Sequence, residues 1–242
     1  MTVVQQAPSV RPEPWALGGN RLARVLHRRS TGEWAVEIDL DGAESVLSLD
    51  TRNHTFEVFV VSGSLGVEVA GESVAVLSEW GYLHAPAGVR LRLIGSSQTR
   101  VLVFADPPRP SDTGPCLLVN TEPHDWRAGT VSARDTGRAL ALEVRDLYQV
   151  PQTGQRTWLL RAGADLVLPF ERHRTIEEGY IVRGHYRLIE RLTEGPRRFD
   201  HGPGGYFWRP PGIVHGGPDS GSDGDFMMLL RTPESLTVEF VS

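Results

Sequence analysis

The chain contains no lysine: all 25 of its basic residues are arginine. With lysine go Schiff-base catalysis, a phosphate-binding P-loop and a lysine general base. Cysteine is nearly missing as well. Cys116 stands alone among 242 residues, so neither an intrachain disulfide nor a cysteine-rich zinc site can form. A single thiol suits a reducing compartment, and the cytoplasm is the expected location. No stretch approaches the ~20 apolar residues of a membrane-spanning helix. Residues 1–14 lack the apolar run of a signal peptide and read as a flexible tail. An excess of positive charge is absent too. The formal net charge of -5 gives no field that would draw the protein onto nucleic acid, so neither nucleic acid nor membrane is an expected partner.

What is present is β-rich. Hydrophobic residues make up 40% of the chain, enough to supply a core and to exclude wholesale disorder. The 26 glycines and 17 prolines favour frequent turns and short strands. Runs such as VRLRLI (89–94), TRVLVF (99–104), TWLLR (157–161), YRLIE (186–190) and FMMLLR (226–231) are short and strand-like, with turn residues between them. No segment of helical length is strongly amphipathic, and 137–147 reads equally as short helix or strand.

The pattern repeats. FEVFVVSG ends at Gly63 and EEGYIVRG at Gly184, 121 residues later. GYLHAPAG begins at Gly81 and GYFWRPPG at Gly205, 124 residues later. Trp15 and Trp126 each precede a glycine by three residues. Two copies of one β unit are therefore expected. The predicted organisation is a tail at 1–14, an N-terminal barrel at 15–106, a Pro-rich linker at 107–125 and a C-terminal barrel at 126–242.

Chemistry-bearing residues concentrate in the second copy. Glu171 and His173 lie two apart, on one face of a strand. Glu177 follows after a turn, and the Gly204-to-Pro210 segment ends in His215. Three residues separate His173 from Glu177, and six separate Glu177 from Gly184. Gly204, Pro210, Gly212 and His215 follow the spacing G(X)5PXG(X)2H. These segments resemble the two cupin motifs, the first of which is G(X)5HXH(X)3,4E(X)6G. The chain departs from that first motif twice: seven residues rather than five separate Gly163 from Glu171, and Glu171 replaces the first histidine. Over 15–242 the chain looks like a bicupin of the ChrR-like group. The resemblance implies an all-β fold of two tandem double-stranded β-helix, jelly-roll barrels. It further implies a divalent metal held by His173, Glu177 and His215, with Glu171 as a fourth ligand or a water-orienting group. Two imidazoles and a carboxylate are the donor set of non-haem Fe(II) oxygenases. Iron is favoured over manganese or zinc.

Matched to the second copy, the first carries Asp50, Arg52, Phe56 and Leu91 at the ligand positions, and arginine, phenylalanine and leucine do not ligate cations. A shifted register would use His54, Glu57 and His84 instead. Strand parity turns Glu178 away from Glu177 and toward solvent. Arg172 and Arg174 should point outward. His185 is a candidate proton shuttle, Arg161 a candidate substrate anchor, and Tyr180, Tyr206 and Trp208 are pocket or core aromatics. His27, His124 and His201 take no role. The functional expectation is a metal-dependent dioxygenase acting on a small organic molecule. The alternatives are a Zn- or Mn-dependent isomerase, hydrolase or lyase, and a metal-bound sensor. Two fused barrels are either self-sufficient or form a homodimer.

Overall fold

The computed structural model describes residues 22–40, 45–109, 114–120, 126–129, 142–163, 166–222 and 224–241. The tail expected at 1–14, Trp15 and His124 lie outside them. The chain divides into two compact units at the Glu122–Pro123 boundary. Both are all-β: among the described residues the one helical element is a 3-10 turn at Thr51–Asn53. None of the described helices is long and apolar enough to cross a membrane.

The first unit contains β1 (Leu22–Arg28), β2 (Trp34–Leu40), β3 (Ser45–Asp50), β4 (Thr55–Ser62), β5 (Leu65–Val69), β6 (Glu72–Leu77), β7 (Tyr82–Ala85), β8 (Arg90–Gly95), β9 (Thr99–Asp106) and β10 (Leu117–Val119). One sheet has the order β1-β2-β9-β4-β7-β10 and the other β3-β8-β5-β6. Sequence alternation dictates which side chains enter. Leu91 and Leu93 of β8 join the core, while Arg92 between them is exposed and pairs with Glu68 at 2.8 Å. Val58 and Val60 of β4 and Val101 and Val103 of β9 meet the same core. Within the stretch expected to be a linker, Leu117–Val119 pairs with β7 of the first unit.

The second unit contains β11 (Arg127–Gly129), β12 (Leu142–Val150), β13 (Gln155–Ala162), β14 (Glu171–His173), β15 (Glu177–Arg183), β16 (Tyr186–Leu192), β17 (Gly195–His201), β18 (Tyr206–Arg209), β19 (Val214–His215), β20 (Gly221–Ser222), β21 (Phe226–Thr232) and β22 (Val238–Phe240). Its sheets run β11-β12-β13-β21-β15-β18 and β17-β16-β19-β14-β22, with β20 beside β16. The segment read as helix or strand at 137–147 is strand from Leu142 onward, and 137–141 lies outside the described residues. Each unit is a jelly-roll barrel of two facing antiparallel sheets.

The repeat in the sequence reappears bond by bond. Gly63 and Gly184 both have φ of +81°. Gly88 and Gly212 have +91° and +85°. The Val60 N–H donates to the Gly81 carbonyl at 2.9 Å, and the Ile181 N–H donates to the Gly205 carbonyl at 2.8 Å. The matching glycines thus mark backbone that side chains strain.

A Cβ at Gly184 would lie 2.3 Å from the Asp225 carbonyl oxygen, in addition to the cost of its positive φ. Gly184→Ala is therefore expected to destabilise by about 2 kcal/mol or more. Urea titration followed by far-UV circular dichroism measures it, and an unchanged midpoint would contradict the strain.

Candidate functional site

Backbone bonds hold the second motif against the first. The N–H of Gly212 donates to the His173 carbonyl at 2.8 Å. The chain then enters β19, which lies between β14 and β16. There His215 stands opposite Glu171 on one side and Glu190 on the other. Glu171 and His173 share the buried face of β14, with exposed Arg172 between them paired outward to Glu239 at 2.7 Å. The turn at 174–176 carries the chain to the other sheet, where Glu177 begins β15 opposite Arg209 of β18. Two polar rows, Glu171–His215–Glu190 and Glu177–Arg209, are thereby brought together within one barrel.

All four predicted ligand residues meet. Glu171 Oε1 lies 3.5 Å from His215 Nε2 and 3.8 Å from His173 Nε2. Glu177 Oε2 lies 3.7 Å from each imidazole Nε2. Donor spacings of this size suit a shared ion with bonds of about 2.0–2.3 Å. Glu171, His173 and His215 offer donor atoms all within 4.8 Å of one another, and they form the one such group among the described residues. Glu177 Oε2 is engaged differently, because it also accepts a hydrogen bond from Arg209 Nη1. Arg209 Nε donates in turn to Glu190 Oε1 at 3.1 Å.

Second contacts set the imidazole tautomers. His215 Nδ1 donates to the Ile213 carbonyl at 3.1 Å, and His173 Nδ1 donates to the Thr237 carbonyl at 3.3 Å. The Nε2 lone pairs are left facing the carboxylates, the arrangement that orients metal-binding histidines. His173 Nε2, Glu171 Oε2, Glu190 Oε2 and Arg209 Nη2 are buried without a hydrogen-bond partner. Three buried carboxylates oppose one guanidinium, an excess of two negative charges when all are ionised. Such an excess is costly in a barrel interior, and a divalent cation cancels it. The donors, their tautomers and the charge count all fit a divalent ion. Burial pushes the Glu171 carboxyl up against the opposing pull of His173 and Arg209. Burial, aided by Arg209, holds His215 down to about 3, so its imidazole is neutral.

The site opens on a cavity of about 290 Å³. Leu142, Val144, Trp158, Leu160, Met228 and Leu230 give it apolar walls, and Tyr186 contributes a phenol that burial keeps protonated. A Cβ at Gly179 would lie 2.2 Å from the Phe207 ring, so this glycine lets the ring lie flat against the sheet inside the cavity.

Several expectations need correction. Glu178 is buried, not exposed: its carboxylate accepts from Tyr206 Oη and Arg231 Nη1, each at 2.5 Å. The parity was right, but the outer face of this sheet is covered. His185 is exposed beside Asp200 and does not line the barrel. Arg161 faces away from the cavity, paired with Glu143 at 2.7 Å and stacked on Trp126. His201, given no role, is buried against Phe199. In the first unit Phe56 and Leu91 belong to the apolar core, and Arg52 is exposed. Glu57 and His84 face each other across β4 and β7, on the sheet side opposite to the core residues Phe56 and Ala85. The sequence reading missed Glu190, Arg209 and Tyr186. The signal was parity: Tyr186, Leu188 and Glu190 share one face, and an acid on an apolar face marks a site.

No family model and no curated protein matches the chain. Solved structures do. E. coli protein Ylba is 12% identical, with 92% of this chain and 86% of that one covered at a TM-score of 0.66. A cupin 2 conserved barrel domain protein from Leptotrichia buccalis is 10% identical, with 88% of each chain covered at 0.60. The fold is that of the cupins. A deletion mutant of Bacillus subtilis oxalate decarboxylase OxdC shares it at 13% identity and a TM-score of 0.62, over 91% of this chain and 75% of that one.

The depressed His215 makes the metal-free protein acid-sensitive. The unfolded chain takes up the proton near pH 6.5 and the folded one only near pH 3, so stability falls as the pH drops through that window. Glu171 works in the opposite sense, since its raised folded pKa costs stability as the pH rises through it. His215→Asn should therefore flatten the acid side of the stability profile between pH 6.5 and 4. Urea midpoints of the chelator-treated protein measure this, and parallel profiles for variant and parent would refute it.

Proposed function

We propose that the second unit is a metal-dependent enzyme. It holds one divalent ion at Glu171, His173 and His215 and acts on a small organic molecule in the adjoining cavity. The observation that carries this reading is the buried three-donor cluster with an unpartnered imidazole nitrogen beside an apolar cavity. A cavity of this size opening onto the donors favours an enzyme over a metal-bound sensor. The likeness to oxalate decarboxylase, an enzyme named for a small carboxylate, agrees with it.

The bound ion supplies Lewis acidity and a meeting point for reactants. The rest falls to the chain. The Nδ1–carbonyl bonds keep both imidazoles in the donor tautomer. The aliphatic walls exclude water, which strengthens every charge interaction inside. Arg209 Nη2 offers an N–H to a substrate oxyanion, and the Tyr186 phenol is a neutral donor on the opposite sheet. Arg209 also keeps Glu177 engaged, so two histidines and one carboxylate remain as the primary donors. That set belongs to non-haem Fe(II) oxygenases, and oxygenase chemistry with Fe(II) is the preferred reading. A second reading rests on Glu177 Oε2, which is 3.7 Å from both imidazoles. If Glu177 leaves Arg209 for the ion, four donors with two carboxylates suit Mn-dependent or Zn-dependent isomerase, hydrolase or lyase chemistry.

Metal binding and turnover both test this. Protein purified without chelator should carry about one equivalent of divalent metal, and His173→Ala should lose it. Arg209→Gln should free Glu177 and tighten metal binding on the order of tenfold, about 1.4 kcal/mol. Competition with a chromogenic chelator reads both variants. The iron-loaded protein should then consume oxygen with a member of a small-acid panel. Turnover by the Mn or Zn form under anaerobic conditions, with no oxygen uptake by the iron form, would replace the oxygenase reading with the second one.

A further inference from the structure

A second charged feature lines the same cavity at a distance from the ligand cluster. Arg156 of β13 and Arg127 of β11 both reach Asp146 of β12. Arg156 Nε donates to Asp146 Oδ1, and Arg127 Nη2 donates to Asp146 Oδ2 at 2.5 Å. Two guanidiniums share one carboxylate, so one positive charge is left over. Burial alone would raise the Asp146 carboxyl, but the hydrogen bonds from Arg127 and Arg156 outweigh it and hold the carboxyl low. The pairing with Asp146 spends only part of the Arg156 fork: its Nη2 is buried without a hydrogen-bond partner. The guanidinium lies 4.6 Å from the centre of the Trp158 ring, which fixes its plane. Arg127, Arg156 and Trp158 all line the cavity.

The sheet register places this group relative to the ligand cluster. Arg156 stands opposite Thr232 of β21, and Glu177 of β15 stands opposite Arg209 of β18. On the far side of β21, Glu178 pairs with Arg231, so Thr232 and Glu177 are next in that register. Arg156 and Glu177 thus belong to one row across the sheet, two strand spacings or roughly 10 Å apart. Thr232 stands between them in that row, its hydroxyl donating to the Glu234 carbonyl at 2.9 Å, and the row alongside is apolar: Trp158, Leu230, Gly179 and Phe207 are successive cross-strand partners.

We infer that Arg156, braced by Asp146 and Arg127, is an anion-binding subsite that selects substrates carrying a carboxylate at the end remote from the ligand cluster, joined by an apolar stem. The inference rests on the proposed metal-dependent function for the reacting end, but the subsite itself is independent of the ion. A planar fork with an unspent N–H matches a carboxylate, and the apolar row matches a hydrocarbon stem.

The test is isothermal titration of the Mn(II)-loaded full chain with oxalate, succinate, adipate and suberate, and with hexanoate as the one-headed counterpart of adipate. Affinity is expected to rise from oxalate to an optimum among the longer diacids, and that best diacid should exceed hexanoate by about tenfold, the value of one charge-assisted contact. Arg156→Gln should remove that advantage while leaving metal content and hexanoate affinity unchanged. Arg161→Gln, which alters a cation outside the cavity, should retain it. A thermal melt of each variant confirms folding. If diacids bind no better than hexanoate, or Arg156→Gln keeps the advantage, the subsite is refuted. Repeating the titration on chelator-treated protein separates the two proposals. An Arg156-dependent affinity for hexanoate in protein that takes up no metal sustains the subsite and overturns the metal-dependent function. One equivalent of metal without any Arg156 dependence does the reverse.

Discussion

Arg209 is the cation that allows a barrel interior to hold its acids. Glu177, Glu190 and Glu171 are all buried, and Arg209 bonds directly to the first two. Without the guanidinium three carboxylates would face one another in a medium that penalises each of them. With it, two negative charges remain uncompensated, and the imidazole Nε2 atoms stand where a dication would cancel them. Burial lowers His215 and His201 and Arg209 adds to it, while His173 and Arg209 oppose the rise that burial imposes on Glu171. One guanidinium therefore adjusts the protonation that burial imposes on the site, and it sets the freedom of Glu177 and the charge left for a divalent ion.

The barrel achieves this with short pieces of chain. β14 has three residues and β19 two, each too short to be stable by itself. Their position comes from neighbours: β14 lies between β19 and β22, and β19 lies between β14 and β16. The Gly212 bond to the His173 carbonyl joins the two motifs at the point where both reach the cavity. The two barrels share this scaffold of turns and backbone bonds, yet one interior is filled by Phe56 and Leu91 and the other carries the polar cluster. One architecture serves as a packed core or as a site according to a few inward positions.

Much of this was legible from residue order. Turn chemistry and strand parity are local, so the all-β class, the repeated glycines and the face shared by Glu171 and His173 could be read directly. The motif spacings pointed to His173, Glu177 and His215 because a fixed number of residues around a turn of fixed geometry delivers a side chain to a fixed place. The errors arose where a second layer decides. Glu178 has the parity of an outward residue, but burial depends on what covers that face. Arg161 has the parity opposite to Arg156, Trp158 and Leu160, which line the cavity, and His185 sits in the turn between β15 and β16, so both lie outside it.

By itself the sequence determined the strands, the repeat and the donor types, since these follow from periodicity, glycine and spacing along one chain. Only the tertiary structure decided that Glu177 is shared with Arg209, that Glu190 completes the ion-pair row, and that Arg156 lies in one cross-strand row with Glu177 and Arg209, beside an apolar row. Those relations join strands 19 to 53 residues apart, Glu190 to Arg209 at one extreme and Arg156 to Arg209 at the other. They depend on which strands become neighbours, and pairing between distant strands is set by packing of the whole barrel rather than by local pattern.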